Sequence, residues 1–371
     1  MASTQTLPKS HRALILSSTS SPPEVETIPT PQPGPGSVIA RIEVVNVISY
    51  ANEVYNGTRK YPFPMPLVIG FSAIARVVAP GPDATKLRPG QLVLFDTFVK
   101  GRDDPTSAFL MGIHEGYSEG SRTLMRGEWR DATFAEFAKL PLENCHVLDE
   151  GVLLGKLGYR MAELQEMNRL LIPYGGLRDI DLKPGETIII SPATGPFGSA
   201  AVKVALSMGA KVIAMGRNID ILKRIQSSND RVEIVQITND VETDTKALQQ
   251  FGTIDAMLDI SPPEASESTH IKSGILALRH SGRISLMGGI QGDLAIPHGA
   301  VMHRDLRIRG KWMYDREAVS GLIKLVEVGL LKLGEKGGQE GVTVFGLDDW
   351  EEAFKAAKEY SGTGKTAVIV P

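Results

Sequence analysis

The chain contains one cysteine, Cys145, among 371 residues. A single thiol excludes an internal disulfide and any cysteine-rich zinc site. It fits a reducing compartment. No apolar run approaches the roughly 18 residues that a membrane-spanning helix requires. The opening stretch, Met1 to Arg12, is polar and lacks the apolar segment of a secretory signal, so a cytoplasmic protein is expected. Neither sign of charge is in excess: 40 Lys and Arg face 43 Asp and Glu, a net charge of −3. That balance advertises no polyanionic partner such as nucleic acid. Internal repeats and low-complexity tracts are missing too, which excludes solenoid and linker architectures.

What is present is ordinary globular composition, 42% apolar and 22% charged. The length exceeds what one hydrophobic core usually organises, so two domains are expected. Up to about residue 150 the chain reads as short strands between Pro/Gly turns. Examples are Ser37 to Ile48, Pro66 to Val78 and Arg88 to Phe95, and the pattern suggests a barrel-like β domain. Lys100 to Arg130 is polar and reads as a long loop, either functional or a plain surface excursion. Gly151 to Leu171 reads as helix. Strands then alternate with helices: Glu186 to Ser191, Phe197 to Met208, Lys211 to Gly216, Ile219 to Ser227, and strands at Glu233 to Ile237, Asp255 to Ile260 and Gly282 to Met287. This rhythm predicts a parallel sheet with crossover helices.

The sharpest local signal is Ser191-Pro-Ala-Thr-Gly195-Pro-Phe-Gly198, between a predicted strand and a predicted helix. That is where a dinucleotide fingerprint sits, the competing reading being a simple tight strand–helix turn. Gly195 lets the backbone approach a pyrophosphate, and Gly198 allows close packing of helix on strand. Thr194, Pro196 and Phe197 complete the turn, whose helix N-terminus offers N–H groups to phosphate. The first glycine of the usual triplet is replaced by Ala193. The second strand ends in Gly216-Arg217-Asn218, where an NAD site would place Asp or Glu. Arg217 would instead contact the 2′-phosphate of NADPH, with Lys223 a second cation. The competing reading makes Arg217 a solvated surface residue.

With that loop placed, the chain resembles the medium-chain dehydrogenase/reductase superfamily over nearly its whole length. The resemblance rests on GPDATKLRPGQLV (81–93), DLKPGETIIISPATGPFG (181–198), SGRISLMGG (281–289), LRIRGKW (306–312) and GKTAVIV (364–370). It implies an α/β protein: a GroES-like β-barrel from residues 1–160 and 306–371, and a Rossmann NADP(H)-binding domain from 161–305. It also implies an active site in the cleft between domains, with Gly288 and Gly289 near the nicotinamide. Family members are commonly dimers or tetramers, often paired through the strand near Asp293 to Ile296, and the sequence leaves a monomer open as well. Zinc members carry a cysteine where Ile48 stands, a histidine where Phe71 stands and a third ligand near Asn168. Ile and Phe cannot bind Zn²⁺, so no metal is expected, and these three residues are expected to line the vacated pocket.

Without a Lewis acid, charge developing on oxygen must meet hydrogen-bond donors. Zinc-free relatives mostly reduce activated C=C bonds or quinones, so an NADPH-dependent reductase of that type is implied for a small, largely apolar substrate. Tyr50 and Tyr61 are the candidate proton donors, and either would serve equally well as pocket wall or packing. A zinc-free carbonyl reductase or alcohol dehydrogenase is one alternative, and a non-catalytic NADPH-binding scaffold is another. The seven histidines show no ligand-like spacing and read as surface or packing residues. Ser191, Ser199 and Ser285 lack an evident His/Asp partner, which argues against hydrolysis.

Overall fold

In the computed structural model, residues 7–362 and 364–371 are described; the start of the polar opening stretch lies outside them. The chain forms two units, residues 1–168 with 332–371, and residues 169–331. Among the described residues no helix is long and apolar enough to cross a membrane.

The second unit is built on six parallel strands. Their spatial order is Val232–Gln236, Lys211–Gly216, Thr187–Ser191, Ala256–Asp259, Arg283–Leu286, Arg307–Gly310. Counted along the chain this is 3-2-1-4-5-6, the doubly wound order of dinucleotide-binding domains. Thr187–Ser191 is central because its run of isoleucines can be buried on both faces, as parallel strands require. Ile189, Ile213, Met257 and Ile284 form the core with Leu248, Ile271 and Ile275 from the covering helices. Side-chain caps start two of those helices. Asn218 accepts from Asp220 and Ile221 N–H, and Asp240 accepts from Thr243 N–H.

The sequence ended this domain too early, at residue 305. Arg307–Gly310 pairs in parallel with Arg283–Leu286, and helix Arg316–Glu327 belongs to the same unit. The error has a physical cause. This is an edge strand, mostly solvent-exposed, and its Arg/apolar alternation fits a barrel strand equally well. The start also shifts: the boundary falls inside helix Glu166–Asp179, not at 161.

The first unit holds a three-stranded sheet, Glu24–Pro29, Ser10–Leu16, Leu67–Val68, and a seven-stranded sheet. The latter runs Cys145–Val147, Leu92–Phe95, Ala73–Pro80, Ser37–Asn46, Lys365–Val370, Gly341–Gly346, with Phe137–Pro141 also paired to Ser37–Asn46. This is the GroES-like architecture. The C-terminal strand closes it by pairing Val368 and Ile369 with Asn46 and Val45.

Two local expectations change. Residues 100–130 are not a structureless loop. They contain part of the hairpin Phe98–Lys100/Ala108–Leu110 and the helix Glu119–Arg126, which is started by a Ser118–Ser121 capping box. Gly151–Leu171 is not one helix but a π-helical turn, Gly151–Lys156, followed by Met161–Leu164 and then Glu166–Asp179. Among the described residues, 293–296 pair with no strand within the chain, and the pairing expected of them is with a second copy.

Candidate active site

The glycine loop lies at the carboxyl ends of the parallel strands, where the strand order reverses. Strand Thr187–Ser191 leads through Gly195, the N-cap, into helix Pro196–Ser207. Pro196 at N1 forgoes an N–H that the helix would leave unpaired, and no side chain caps this end. The two glycines differ in kind. A Cβ on Gly198 would lie 2.0 Å from Pro192 O and 2.8 Å from Ala193 Cα, so helix–strand packing demands glycine there. A Cβ on Gly195 would meet nothing within 4 Å. That open space beside an uncapped helix N-terminus fits a dinucleotide pyrophosphate.

At the end of the second strand, Gly216 is buried, and a Cβ there would lie 2.7 Å from Thr194 Cγ2. A side chain at position 216 would therefore need the Thr194 side chain to shift. Arg217 and Lys223 are both exposed. The Asn218 side chain is engaged as the helix cap, with Oδ1 3.0 Å from Asp220 N and 3.1 Å from Ile221 N. Its part is to start the helix that carries Lys223.

Gly288 and Gly289 are both exposed beyond strand Arg283–Leu286. Beneath them lies a cluster that the sequence did not reveal. Asp259, Ser261 and His270 are each at most 3% exposed. His270 Nε2 is 2.8 Å from Ser261 Oγ and 3.2 Å from Asp259 Oδ1, while Nδ1 is 2.8 Å from Ser268 Oγ. Serine and aspartate share one ring nitrogen, so this is not the relay of a hydrolytic triad, in which the two nitrogens face different partners. The cluster pins Ser261, whose carbonyl accepts from Gly289 N–H at 2.7 Å. A Cβ on Gly288 would lie 2.6 Å from Asp259 Oδ2. Nothing in the spacing of residues 259, 261 and 270 signals this arrangement.

In the first unit the two candidate tyrosines come together around Arg59. The Arg59 guanidinium sits 3.9 Å from the Tyr50 ring centroid and donates to Glu53 Oε2 at 3.1 Å, and Tyr61 lies close enough to favour its charged form. Arg59 was not anticipated from the sequence, and its place two residues before Tyr61 was the available signal. Burial pushes the Tyr50 phenol far above the ordinary phenol range; the neighbouring Tyr61 adds to the rise and Arg59 opposes it. Tyr61 packs edge-on to His114 at 5.1 Å. Burial holds His114 below the usual imidazole range, so at neutral pH it faces Tyr61 uncharged. Glu115 N–H donates to Pro62 O at 2.8 Å, and the Glu115 carboxylate holds Arg126 at 2.8 Å. The insertion at 100–130 thus fastens the Tyr61 turn.

The three positions taken for a vacated metal pocket differ in their surroundings. Ile48 is partly buried against the core that contains Phe71. Phe71 is 3% exposed and lies between Tyr55 at 5.8 Å and Phe134 at 5.5 Å, so it is core and not pocket lining. Asn168 is buried and donates through Nδ2 to Gln165 Oε1. Zn²⁺ needs several N, O or S donors; the side chains of two of these residues have none, and the lone amide oxygen of Asn168 cannot hold the ion by itself. Among the described residues no group of three or more His, Cys, Asp or Glu could hold a metal. The residues present do not fit a catalytic zinc.

Tyr55 supports this wall. Its hydroxyl is 3.2 Å from Gly112 O, 3.3 Å from Gly70 O and 3.2 Å from Gly70 N. Burial raises its phenol, as it does that of Tyr50. A raised folded-state pKa gives stability that is fully present below the unfolded value of about 10 and lost above it. Urea unfolding should therefore show steady stability from about pH 7 to 9 and a decline above about pH 10. Tyr55→Phe should reduce that decline while costing about 1–3 kcal/mol at neutral pH through the lost partners.

A GroES-like barrel joined to a doubly wound domain with this glycine loop defines a nicotinamide-dinucleotide oxidoreductase. The family pattern described as alcohol dehydrogenase GroES-like domain matches residues 34–150, and that described as zinc-binding dehydrogenase matches residues 196–328. The chain belongs to the medium-chain dehydrogenase/reductase superfamily. L-threonine 3-dehydrogenase of Anaeromyxobacter dehalogenans is 22% identical over 353 residues, spanning 92% of this chain and 93% of that protein. The enzyme of the same name from Yersinia pestis is 23% identical over 361 residues, spanning 92% and 94%. A cobalt- and zinc-bound thermostable alcohol dehydrogenase from Pyrobaculum aerophilum superposes with a TM-score of 0.72 at 19% identity, covering 98% of this chain and 100% of that one. A crotonyl-CoA carboxylase/reductase in complex with NADP gives 0.74 at 16%, covering 99% and 96%. At such identities the structural likeness defines the fold.

Proposed function

We propose that this protein is an NADPH-dependent, zinc-independent reductase acting on an activated C=C bond of a small, largely apolar, enone- or quinone-type substrate. The observation that carries this reading is the donor-free chemistry at Ile48 and Phe71, where zinc members hold ligands. With no Lewis acid there, a substrate whose charge spreads over an enolate or phenolate is easier to reduce than one forming a localised alkoxide.

Thr194, Gly195, Pro196, Phe197 and Gly198 would hold the pyrophosphate, Arg217 and Lys223 the 2′-phosphate, and Gly288 and Gly289 would border the nicotinamide. NADPH supplies a hydride, two electrons and one hydrogen nucleus, when bound. The chain must then supply one proton to the enolate. Tyr50 suits that role, because burial keeps its phenol protonated well past neutral pH and the resulting phenolate would face the Arg59 cation. The phenol regains its proton from solvent.

The test is product analysis after incubation with NADPH and an α,β-unsaturated ketone. Loss of the C=C bond supports the proposal. Loss of the C=O bond favours carbonyl reduction, the reading closer to relatives named alcohol dehydrogenase and threonine 3-dehydrogenase. Binding without turnover of any substrate favours a scaffold. A strong chelator should leave turnover unchanged. Tyr50→Phe should lower kcat roughly 100-fold with NADPH affinity intact, the scale of a lost general acid. A fall of that size in Tyr61→Phe instead would transfer the role.

A further inference from the structure

The buried cluster under Gly288 and Gly289 has one consistent arrangement of protons. Ser261 Oγ donates to Asp259 Oδ1, and His270 Nε2 lies 2.8 Å from that Oγ and 3.2 Å from the same Oδ1. A carboxylate oxygen only accepts, and the single hydroxyl hydrogen of Ser261 is already committed to it. An unprotonated Nε2 would set its lone pair against Oδ1, so Nε2 carries hydrogen and donates to Ser261 Oγ. The other ring nitrogen, Nδ1, meets Ser268 Oγ at 2.8 Å. Ser261 is thus gripped from both sides, as acceptor from His270 and donor to Asp259.

This grip bears on backbone at the carboxyl end of the sheet. Asp259 ends strand Ala256–Asp259, which pairs with Thr187–Ser191 at the point where the strand order reverses. The parallel ladder continues past that end. Met287 N–H donates to Asp259 O at 2.9 Å, and Gly289 N–H donates to Ser261 O at 2.7 Å. The second rung lies beyond the ends of both strands, at glycines that are exposed. Two consecutive glycines have the most backbone freedom to lose, so an exposed rung there frays unless its partner is fixed. His270, fully buried at the start of helix His270–Ala277, fixes it through Ser261. The rim also touches the cluster directly: a Cβ on Gly288 would lie 2.6 Å from Asp259 Oδ2 and 2.8 Å from Ser261 N. A buried ionisable pair stabilises a fold no better than apolar packing of the same volume, so its place beneath an exposed rim argues for positioning.

We propose that His270 is a positioning residue for the nicotinamide half of the dinucleotide: through Ser261 it fixes the Gly288–Gly289 backbone that borders the ring. This rests on the proposed function in taking those glycines as the nicotinamide border. The adenosine and 2′-phosphate end is held by other residues, so the two ends of the cofactor respond differently when His270 is changed.

The test is calorimetric titration of the full chain with NADPH and with adenosine 2′,5′-bisphosphate, which keeps the 2′-phosphate and lacks the nicotinamide. His270→Leu should weaken NADPH binding about fivefold to tenfold, the worth of one net hydrogen bond, and leave the bisphosphate bound as in wild type. The emission of bound NADPH, which reports the surroundings of the nicotinamide, should move toward that of the free nucleotide. His270→Gln, whose side-chain N–H can stand in for Nε2–H, should restore most of the loss. If His270→Leu does not melt cooperatively, Ser261→Ala carries the test: it leaves His270 paired with Asp259 and removes only the hydroxyl that ties Ser261 to them, and the same selective loss should appear. Unchanged NADPH affinity, an equal loss for both ligands, or no binding of NADPH by wild type overturns the inference. A selective loss in a protein that reduces no C=C bond would sink the reductase reading alone. C=C reduction by wild type without a selective loss in the variants would sink this inference alone.

Discussion

Alanine at position 195 should leave the protein folded and strip it of dinucleotide binding, whereas alanine at position 198 should unfold the dinucleotide-binding unit. The two glycines occupy the same loop, but the first borders open space and the second touches backbone. A methyl on Gly195 meets no protein atom within 4 Å. The melting temperature of Gly195→Ala should therefore match wild type, while the methyl intrudes where the pyrophosphate must approach. Overpacking costs about 1–3 kcal/mol, which corresponds to roughly tenfold to hundredfold weaker NADPH binding. A methyl on Gly198 would sit 2.0 Å from Pro192 O, and neither helix nor strand has a flexible end that can give way. Destabilisation of about 3 kcal/mol or more is expected. Thermal melts with NADPH fluorescence titration on both variants separate the effects. Unchanged NADPH affinity in Gly195→Ala would mean that the open space is not the pyrophosphate site.

The second large effect concerns the choice between cofactors. Arg217→Ala should weaken NADPH binding by about 1.5–3 kcal/mol, the worth of a hydrogen bond to a charged group, and leave NADH binding where it is. Lys223→Ala should act in the same direction and more weakly, since an ammonium makes a point contact where a guanidinium makes a fork. Restoring NAD preference by Gly216→Asp should require the Thr194 side chain to shift, because it occupies the space of the new side chain. Fluorescence titration with both nucleotides checks these expectations. Equal loss for NADPH and NADH in Arg217→Ala would place Arg217 outside the phosphate site.

The parallel sheet was legible in the sequence because its signal is local. Lys211–Gly216 and Ile219–Ser227 were anticipated to the residue, since each is a short apolar or amphipathic run bounded by its own cap or turn. The glycine loop was legible for the same reason: strand, turn and helix follow one another without a break. Arg307–Gly310 was misassigned because an exposed edge strand carries no apolar run to declare which sheet it joins. The helix Glu119–Arg126 was missed because its start is a serine capping box and its composition is polar.

The sequence by itself determined the fold class, the glycine loop between strand and helix, and the donor-free side chains of Ile48 and Phe71, since each depends on residue type at a fixed local position. Tertiary structure alone decided that Arg59 sits beside Tyr50 and Tyr61, that Phe71 is core, and that His270 underpins Gly288 and Gly289. Each of these depends on partners from separate turns or strands, as His270 does on Asp259 and Ser261. The part played by a buried imidazole is fixed by such partners, and no local pattern in the sequence records which of them will face it.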